Sequence, residues 1–230
     1  MYEPWNIRTD WTVGICSSNR LTRLTAHWGH MCIGIVFFFL LVIAKIPTLR
    51  DELSVSLFVT VFYALVLFAV TALGREILRT RRYGKSVFHL SQVPGVVGGE
   101  LRGVIAAPVE LCRAKEIRLR LKCQTDKRRQ GRQGGLSYLT VWETEQRSTA
   151  TQHPAHCWMA EVSAAFTIPP DALESNPDSL DPNRVTCRWL LQVEAPLPGV
   201  DYADEFEVPV FRMTEPPKQL ARPHKLCTAN

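Results

Sequence analysis

The feature that most constrains this chain is an apolar stretch of twenty-one residues at 53–73, LSVSLFVTVFYALVLFAVTAL, which contains no charged side chain. An α-helix rises about 1.5 Å per residue, so the stretch is long enough to cross the roughly 30 Å hydrocarbon core of a bilayer. It predicts a transmembrane helix.

A second apolar stretch, MCIGIVFFFLLVIA at 31–44, precedes the first one. Fourteen residues alone would suit a core helix or the hydrophobic region of a signal peptide. Beside the longer span, with Trp28 and Lys45 at its two ends, it is interpreted as a further span over 31–46. Pro47 predicts a tight turn, so the two spans within 30–73 form a helical hairpin. The alternative is a single span after a processed or interfacial first segment.

Basic residues predict which side of the membrane the ends of the hairpin face. Three arginines precede the first span, and the segment 74–85 after the second span is strongly basic, whereas the connection holds only Arg50 with Lys45 at its edge. The positive-inside rule places both ends in the cytoplasm. The basic residues of 74–85 are predicted to form a juxtamembrane collar: Arg75, Arg79, Arg81, Arg82 and Lys85.

The collar is expected to contact anionic lipid headgroups, at about 1 kcal/mol for each basic residue near the surface. Two other interpretations fit less well. A phosphate-binding loop ending in GKS needs glycine where this chain has Arg79, and it needs a preceding strand. A nucleic-acid patch is not required, because the collar already explains the charge, and the net charge of +5 is modest.

The seven cysteines are odd in number and contain no C-x-x-C pair. They predict neither a disulfide framework nor a zinc ribbon, and they fit a reducing compartment.

From Ser86 onwards, apolar and polar residues alternate in short segments separated by glycine, proline, asparagine, aspartate or charged residues. Seven such segments predict an all-β domain over 86–212, a β-sandwich of immunoglobulin-like or arrestin-like type with about seven strands. The segments are 86–90, 101–107, 116–123, 136–146, 158–168, 184–195 and 202–211. Residues 1–29 are predicted to be a cytoplasmic N-terminal tail and 213–230 a disordered tail.

The clearest alternation lies in EIRLRLKC at 116–123, where Ile117, Leu119, Leu121 and Cys123 are predicted to face the core. The basic residues between them, with the following loop DKRRQGRQGG, are interpreted as a solvated face and a hairpin tip. Contact with a membrane surface or a protein partner is the alternative. Nucleic acid is not expected, because no aromatic residues interleave with the charges.

Several spaced residues resemble a bacterial inner-membrane family with two N-terminal spans, an RR-x-G-x-S collar and a soluble domain of unknown function. The resemblance covers about 30–212 and is carried by Arg81, Arg82, Gly84, Ser86, Pro94, Gly98, Gly99, Leu101, Gly103, Phe166, Ile168, Pro169 and Asp171. The order F-x-IP, W-x-L-x-V and F-x-VPV is also similar to the later strands of arrestin-like sandwiches. The resemblance implies an architecture and a multi-pass inner-membrane location, and it leaves the activity open.

Candidate chemistry is sparse. HPAHC at 153–157 offers His153, His156 and Cys157, but no second ligand pair has zinc spacing, so a polar loop is the favoured interpretation. Asp201, Asp204 and Glu205 around Tyr202 are interpreted as solvated residues at a strand edge. Strand aromatics are predicted to lie in the core: Trp142, Trp158, Trp189, Phe166, Phe206 and Phe211.

These observations predict a membrane-anchored cytoplasmic binding or scaffold domain that is not an enzyme. Its expected partners are the lipid bilayer, anionic headgroups and a protein, without nucleic acid, cofactor, metal or catalytic residues. The alternative is an enzyme or a metal-dependent module whose site lies in the β-sandwich and matches no known motif.

Overall fold

The computed structural model describes residues 5, 8–18, 34, 52–128, 136–176, 186–213 and 218–219. The chain divides into two compact units: Arg20–Arg82, and a second unit made of Met1–Asn19 with Tyr83–Asn230. Apart from residue 34, the predicted first span, 31–46, lies outside the described residues.

Apart from residue 34, the described part of the smaller unit belongs to one long helix, here α2, at Glu52–Tyr83, whose last residue belongs to the larger unit. It contains the predicted second span and continues through the basic segment that follows. Among the described residues it is the one helix long and apolar enough to cross a membrane, by length and composition. Gly84, with a φ of 61°, directly follows its last residue, which is where a left-handed glycine commonly ends a helix.

The larger unit is built from β-strands, together with the short helix α1 (Thr9–Thr12) and a 3₁₀ helix at Val109–Arg113. The described strands are β1 (Ile15–Ser17), β2 (Val87–Leu90), β3 (Gln92–Val93), β4 (Gly95–Val96), β5 (Glu100–Pro108), β6 (Ile117–Arg128), β7 (Leu136–Ser148), β8 (Ala150–Gln152), β9 (Met159–Thr167), β10 (Thr186–Ala195), β11 (Tyr202–Val208), β12 (Val210–Phe211) and β13 (Lys218–Gln219).

Two antiparallel sheets share one core. The first has the order β1-β2-β5-β9-β8, and the second has the order β11-β10-β6-β7. Phe88 of the first sheet packs against Phe206 of the second, with ring centroids 6.2 Å apart. Each of the seven predicted segments contains a strand, and the predicted all-β class of this part of the chain is confirmed.

The alternation in β6 behaves as its sequence predicts. Ile117, Leu119, Leu121 and Cys123 are all buried. The intervening basic residues lie on the other face, where Arg120 pairs with Glu143 and Glu145 of β7 at 3.3 and 3.2 Å.

The close approach of β2 and β5 depends on a glycine. A Cβ atom at Gly103 would lie 2.4 Å from the carbonyl oxygen of His89 and 2.5 Å from the ring of Phe88. No real side chain tolerates such distances. Gly103 therefore leaves the space in which Phe88 reaches the core.

The prediction that Trp158 lies in the core is wrong, because this residue is 59% exposed. It precedes β9, in the turn that joins β8 to β9, so the alternation that buries the strand does not extend to it. Trp142 is partly buried and packs on the fully buried Trp189, with ring centroids 5.3 Å apart.

Residues assigned above to an N-terminal tail contribute to the larger unit. β1 pairs with β2 at the edge of the first sheet, and Trp11 is 1% exposed beside Phe211. The three residues of β1 are too few to show an alternating pattern in the sequence. The burial of Trp11 depends on residues far away in the sequence, such as Phe211. The tail assigned to 213–230 likewise contributes β13, which pairs with β3.

Replacing Trp11 by alanine should lower the free energy of unfolding of the larger unit by about 3 kcal/mol, because it empties a large buried site. In thermal unfolding followed by calorimetry, this corresponds to a fall in Tm of roughly 6–12 °C. Val13→Ala is the matched control, because Val13 is 60% exposed. Equal Tm values for the two variants would mean that the N-terminal segment is not docked.

Candidate functional site

The chain leaves the first sheet and returns to it at neighbouring positions. In the antiparallel pair of β1 and β2, Ser17 lies opposite Val87, and Cys16 lies opposite Phe88. Paired strands are about 4.8 Å apart. The segment 18–86, which contains α2, therefore begins and ends at one place on one sheet.

Four polar side chains meet at this place and are named here the polar cluster: Ser18, Ser86, Tyr202 and Asp204. The hydroxyl of Tyr202 donates a hydrogen bond to Oγ of Ser86 at 2.6 Å and lies 3.5 Å from Oδ2 of Asp204. The hydroxyl of Ser18 donates to Oδ1 of Asp204. The cluster thus links the residue after β1 and the residue before β2 to the same strand, β11.

Tyr83, the last residue of α2, makes two further contacts close to the polar cluster. Its hydroxyl donates a hydrogen bond to the carbonyl oxygen of Val200, and its ring packs edge-on against Tyr202 with centroids 5.4 Å apart. Both Tyr83 and Ser86 are buried. Tyr83 is therefore held within the larger unit by packing as well as by hydrogen bonds.

The interpretation of the acidic residues around Tyr202 as solvated is wrong for Asp204, which is buried. Besides Ser18, the backbone N–H of Glu205 donates to its carboxylate at 2.9 Å. A buried carboxylate is stable only with such partners. The partner Ser18 is distant in sequence, so no local pattern could have indicated the cluster.

A second polar contact fixes the N-terminal segment to β11. Arg8 lies 2.9 Å from Glu207, 2.7 Å from Asp10 and 4.7 Å above the ring of Trp11. Burial acts to lower the pKa of Arg8, but hydrogen bonds and attraction from Asp10 and Glu207 outweigh it and raise the pKa. Burial raises the pKa of the nearby Cys16 thiol well above its ordinary value.

The residues of the predicted collar occupy the end of α2 and the residues after it. Arg75, Arg79 and Arg82 are spaced by four and three positions, which places them on one face of the helix. Arg79 pairs with Glu76 at 3.0 Å, and Arg81 lies on a different face. Lys85 follows the helix and is exposed. Basic residues also suit the C-terminal end of a helix, where the macrodipole is negative.

HPAHC forms the turn between β8 and β9. The rings of His153 and His156 are 4.8 Å apart, and His156 lies 5.4 Å from the ring of Trp158. Nδ1 of His153 accepts a hydrogen bond from the backbone of Ala155 at 3.0 Å, and Nε2 lies 3.4 Å from Glu161. Within the described residues, no group of three histidine, cysteine or acidic side chains is arranged to hold a metal ion.

Among the described strands, β7 carries an exposed surface that the sequence did not indicate. β7 lies at the end of its sheet, and Tyr138, Leu139 and Val141 are 52–59% exposed. A β-bulge at this level interrupts the pairing of β7 with β6 between Cys123 and Gln124. These three residues are named here the β7 edge surface. The segment LSYLTVW predicts a strand, but its pattern does not distinguish an edge strand from a central one.

Replacing Tyr202 by phenylalanine should lower the free energy of unfolding by about 1–2 kcal/mol, because it deprives buried Ser86 of its hydrogen-bond donor. Tyr138→Phe removes the same hydroxyl at an exposed site and is the control, with an expected change within about 0.5 kcal/mol. Calorimetric unfolding of both variants measures the difference. Equal stabilities would show that the polar cluster does not stabilise the fold.

Comparison with known proteins gives a distant likeness only. No model of a protein family matches this chain, and no curated protein matches it. The predicted membership of an inner-membrane family therefore stays a prediction. Among solved structures, the chain is similar to the sporulation control protein Spo0M from Bacillus subtilis, with 15% sequence identity and a TM-score of 0.37. The similarity covers 54% of this chain and 48% of that one, so this chain spans about half of its length.

Proposed function

We propose that this chain is a membrane-anchored binding or scaffold protein. In this proposal a hairpin of two spans holds the β-domain at the cytoplasmic face of a bacterial inner membrane, where the β-domain binds a protein partner. The observation that carries the proposal is the pairing of β1 with β2 on either side of the segment that contains α2.

The first support is the surface of α2. Leu67, Phe68 and Val70 are exposed on it, as expected of side chains that face lipid. A soluble protein rarely exposes so many large apolar residues along one helix. A bilayer is the environment that would cover them.

The second support is a parity argument. β1 and β2 belong to one sheet, so both ends of the segment 18–86 lie on the same side of any membrane. Such a segment crosses the bilayer an even number of times. If α2 is one crossing, a second crossing is needed before it, and the apolar stretch 31–46 is the candidate. Once α2 is taken as one crossing, the pairing of β1 with β2 therefore supports a second crossing before it.

The third support concerns orientation and binding. The collar residues and the N-terminal arginines favour the cytoplasmic side. On that side β7, the last strand of its sheet among the described residues, presents the exposed side chains of the β7 edge surface. An extended peptide of a partner can add a strand to such an edge, with main-chain hydrogen bonds supplying affinity and apolar side chains supplying selectivity.

The parity argument predicts that residues before and after the hairpin are accessible from the same side. In chains that carry one cysteine each, Val13→Cys and native Cys157 should react with a membrane-impermeant maleimide only after the inner membrane is permeabilised. Thr48→Cys, in the connection between the proposed spans, should react in intact cells. Labelling of Val13→Cys and Cys157 from opposite sides would exclude an even number of crossings. Labelling of both in intact cells would indicate the opposite orientation, with the two ends of the hairpin outside the cytoplasm.

The collar predicts additive behaviour. Changing any one of its five residues to glutamine should leave the orientation almost intact, because orientation responds to the summed charge. Changing all five removes up to about 5 kcal/mol of attraction to anionic lipid and should produce mixed orientations, seen as partial labelling of Cys157 in intact cells. A full loss caused by one substitution, with the other four without effect, would indicate a specific ligand site instead.

A further inference from the structure

Two buried cysteines face each other inside the second sheet. Cys123 lies on β6 and Cys187 on β10, the two central strands of that sheet, and their Sγ atoms are 3.1 Å apart. The two residues are 1% and 3% exposed. Neither takes part in the proposed anchoring or partner binding. We propose that Cys123 and Cys187 are a redox modification site, at which a hydroperoxide converts the two thiols into a disulfide bond.

The backbone places the two side chains as diagonal neighbours. Cys123 lies directly opposite Trp189, and Cys187 lies directly opposite Thr125. Diagonal residues on paired strands are within reach of each other, and a β-bulge increases the local twist of a strand. The bulge in the pairing of β6 with β7 falls next to Cys123. A disulfide requires an S–S distance of about 2.05 Å, so bond formation needs a shift of about 1 Å between the sulfur atoms.

The surroundings favour reaction between these two sulfur atoms over other outcomes. A hydrogen bond from Cys187 lowers the pKa of Cys123, against the opposing effect of burial. Trp189 lies beside the pair and donates its indole N–H to the carbonyl oxygen of Leu173 at 2.8 Å. With the site closed by such packing, a small and uncharged oxidant can reach it through local opening, whereas bulky disulfides cannot.

The reaction balances with hydrogen peroxide as the oxidant. The sulfur of the Cys123 thiolate attacks one peroxide oxygen, the O–O bond breaks, and the other oxygen leaves as water after taking up a proton. The sulfur of Cys187 then attacks the resulting sulfenic acid at sulfur. The S–O bond breaks, and hydroxide leaves as water with the proton of the Cys187 thiol. Two thiols and one peroxide give one disulfide and two molecules of water.

A disulfide bond between Cys123 and Cys187 would cross-link the second sheet. It would join β6 to β10 covalently and would connect positions 64 residues apart in the sequence. Closing such a long loop restricts the unfolded chain, so the Tm of the oxidised protein should rise by at least about 5 °C. In a reducing cytoplasm the pair would rest as thiols and would respond to oxidative stress.

The test uses the full-length purified protein in detergent, with hydrogen peroxide as the probe. After oxidation, the chain is unfolded and alkylated with N-ethylmaleimide, then digested without reductant. The expected result is one linked peptide pair that contains Cys123 and Cys187, together with the increase in Tm. Treatment of the unfolded chain with dithiothreitol should release the linked peptides.

Matched variants separate this site from the other cysteines. Cys112→Ser/Cys157→Ser removes two exposed thiols and should retain the linked pair, and Cys16→Ser removes a buried thiol elsewhere and should also retain it. Cys123→Ser and Cys187→Ser should each abolish the linked pair. If these two variants fail to fold, the peptide map of the wild-type protein still gives the answer.

The proposal is overturned if Cys123 and Cys187 are recovered alkylated, and so were still thiols after peroxide treatment, while the exposed Cys112 and Cys157 of the same sample are oxidised. Bonding of either residue to a different cysteine also overturns it. The result does not depend on membrane orientation. A disulfide already present in unstressed cells, after rapid alkylation, would support the bond and argue against the cytoplasmic location of the β-domain.

Discussion

The pairing of β1 with β2 is the interaction on which the rest of the architecture depends. It brings residues from before and after α2 into one sheet, and it fixes the distance between the two ends of the intervening segment. The polar cluster and the packing of Tyr83 lie at that same place. Any arrangement of the segment 18–86 must satisfy this constraint, because breaking it would expose Trp11 and leave the buried Asp204 without Ser18.

The larger unit combines two kinds of stabilisation with different roles. Apolar burial between the sheets supplies most of the favourable free energy, and it tolerates changes of similar volume. The buried polar contacts contribute less, since hydrogen bonds to protein replace those to water. They do discriminate between arrangements, because a displaced N-terminal segment would leave Asp204 without Ser18 and Glu207 without Arg8. Apolar packing therefore accounts for stability, and the polar contacts at β11 select the position of the N-terminal segment.

Sequence patterns predicted the parts of the structure that depend on local periodicity. Alternation identified the longer strands between Ser86 and Phe211 but not the short strands β3, β4 and β8, and the length of the apolar stretch identified residues 53–73 of the helix that continues to Tyr83. They did not predict β1, the burial of Asp204 or the exposure of Trp158. Each of these depends on a contact, or on a missing contact, between residues far apart in the chain. The β7 edge surface was not predictable for the same reason, since exposure at β7 follows from its place at the sheet edge.

The distance along the chain between β1 and β2 also governs the order of events during synthesis. Ser17 and Val87 are separated by roughly 70 residues, so β1 leaves the ribosome on the order of 10 s before its partner strand is available. During this interval the apolar residues and the backbone N–H and C=O groups of β1 cannot pair with β2, which has not yet been made. Closure of the sheet edge is consequently a late event, which can occur only after the whole intervening segment has been made and its end has returned to its beginning. β1 therefore docks only after the segment between β1 and β2 has been made. A protein in which this segment is misplaced would have an undocked N-terminus.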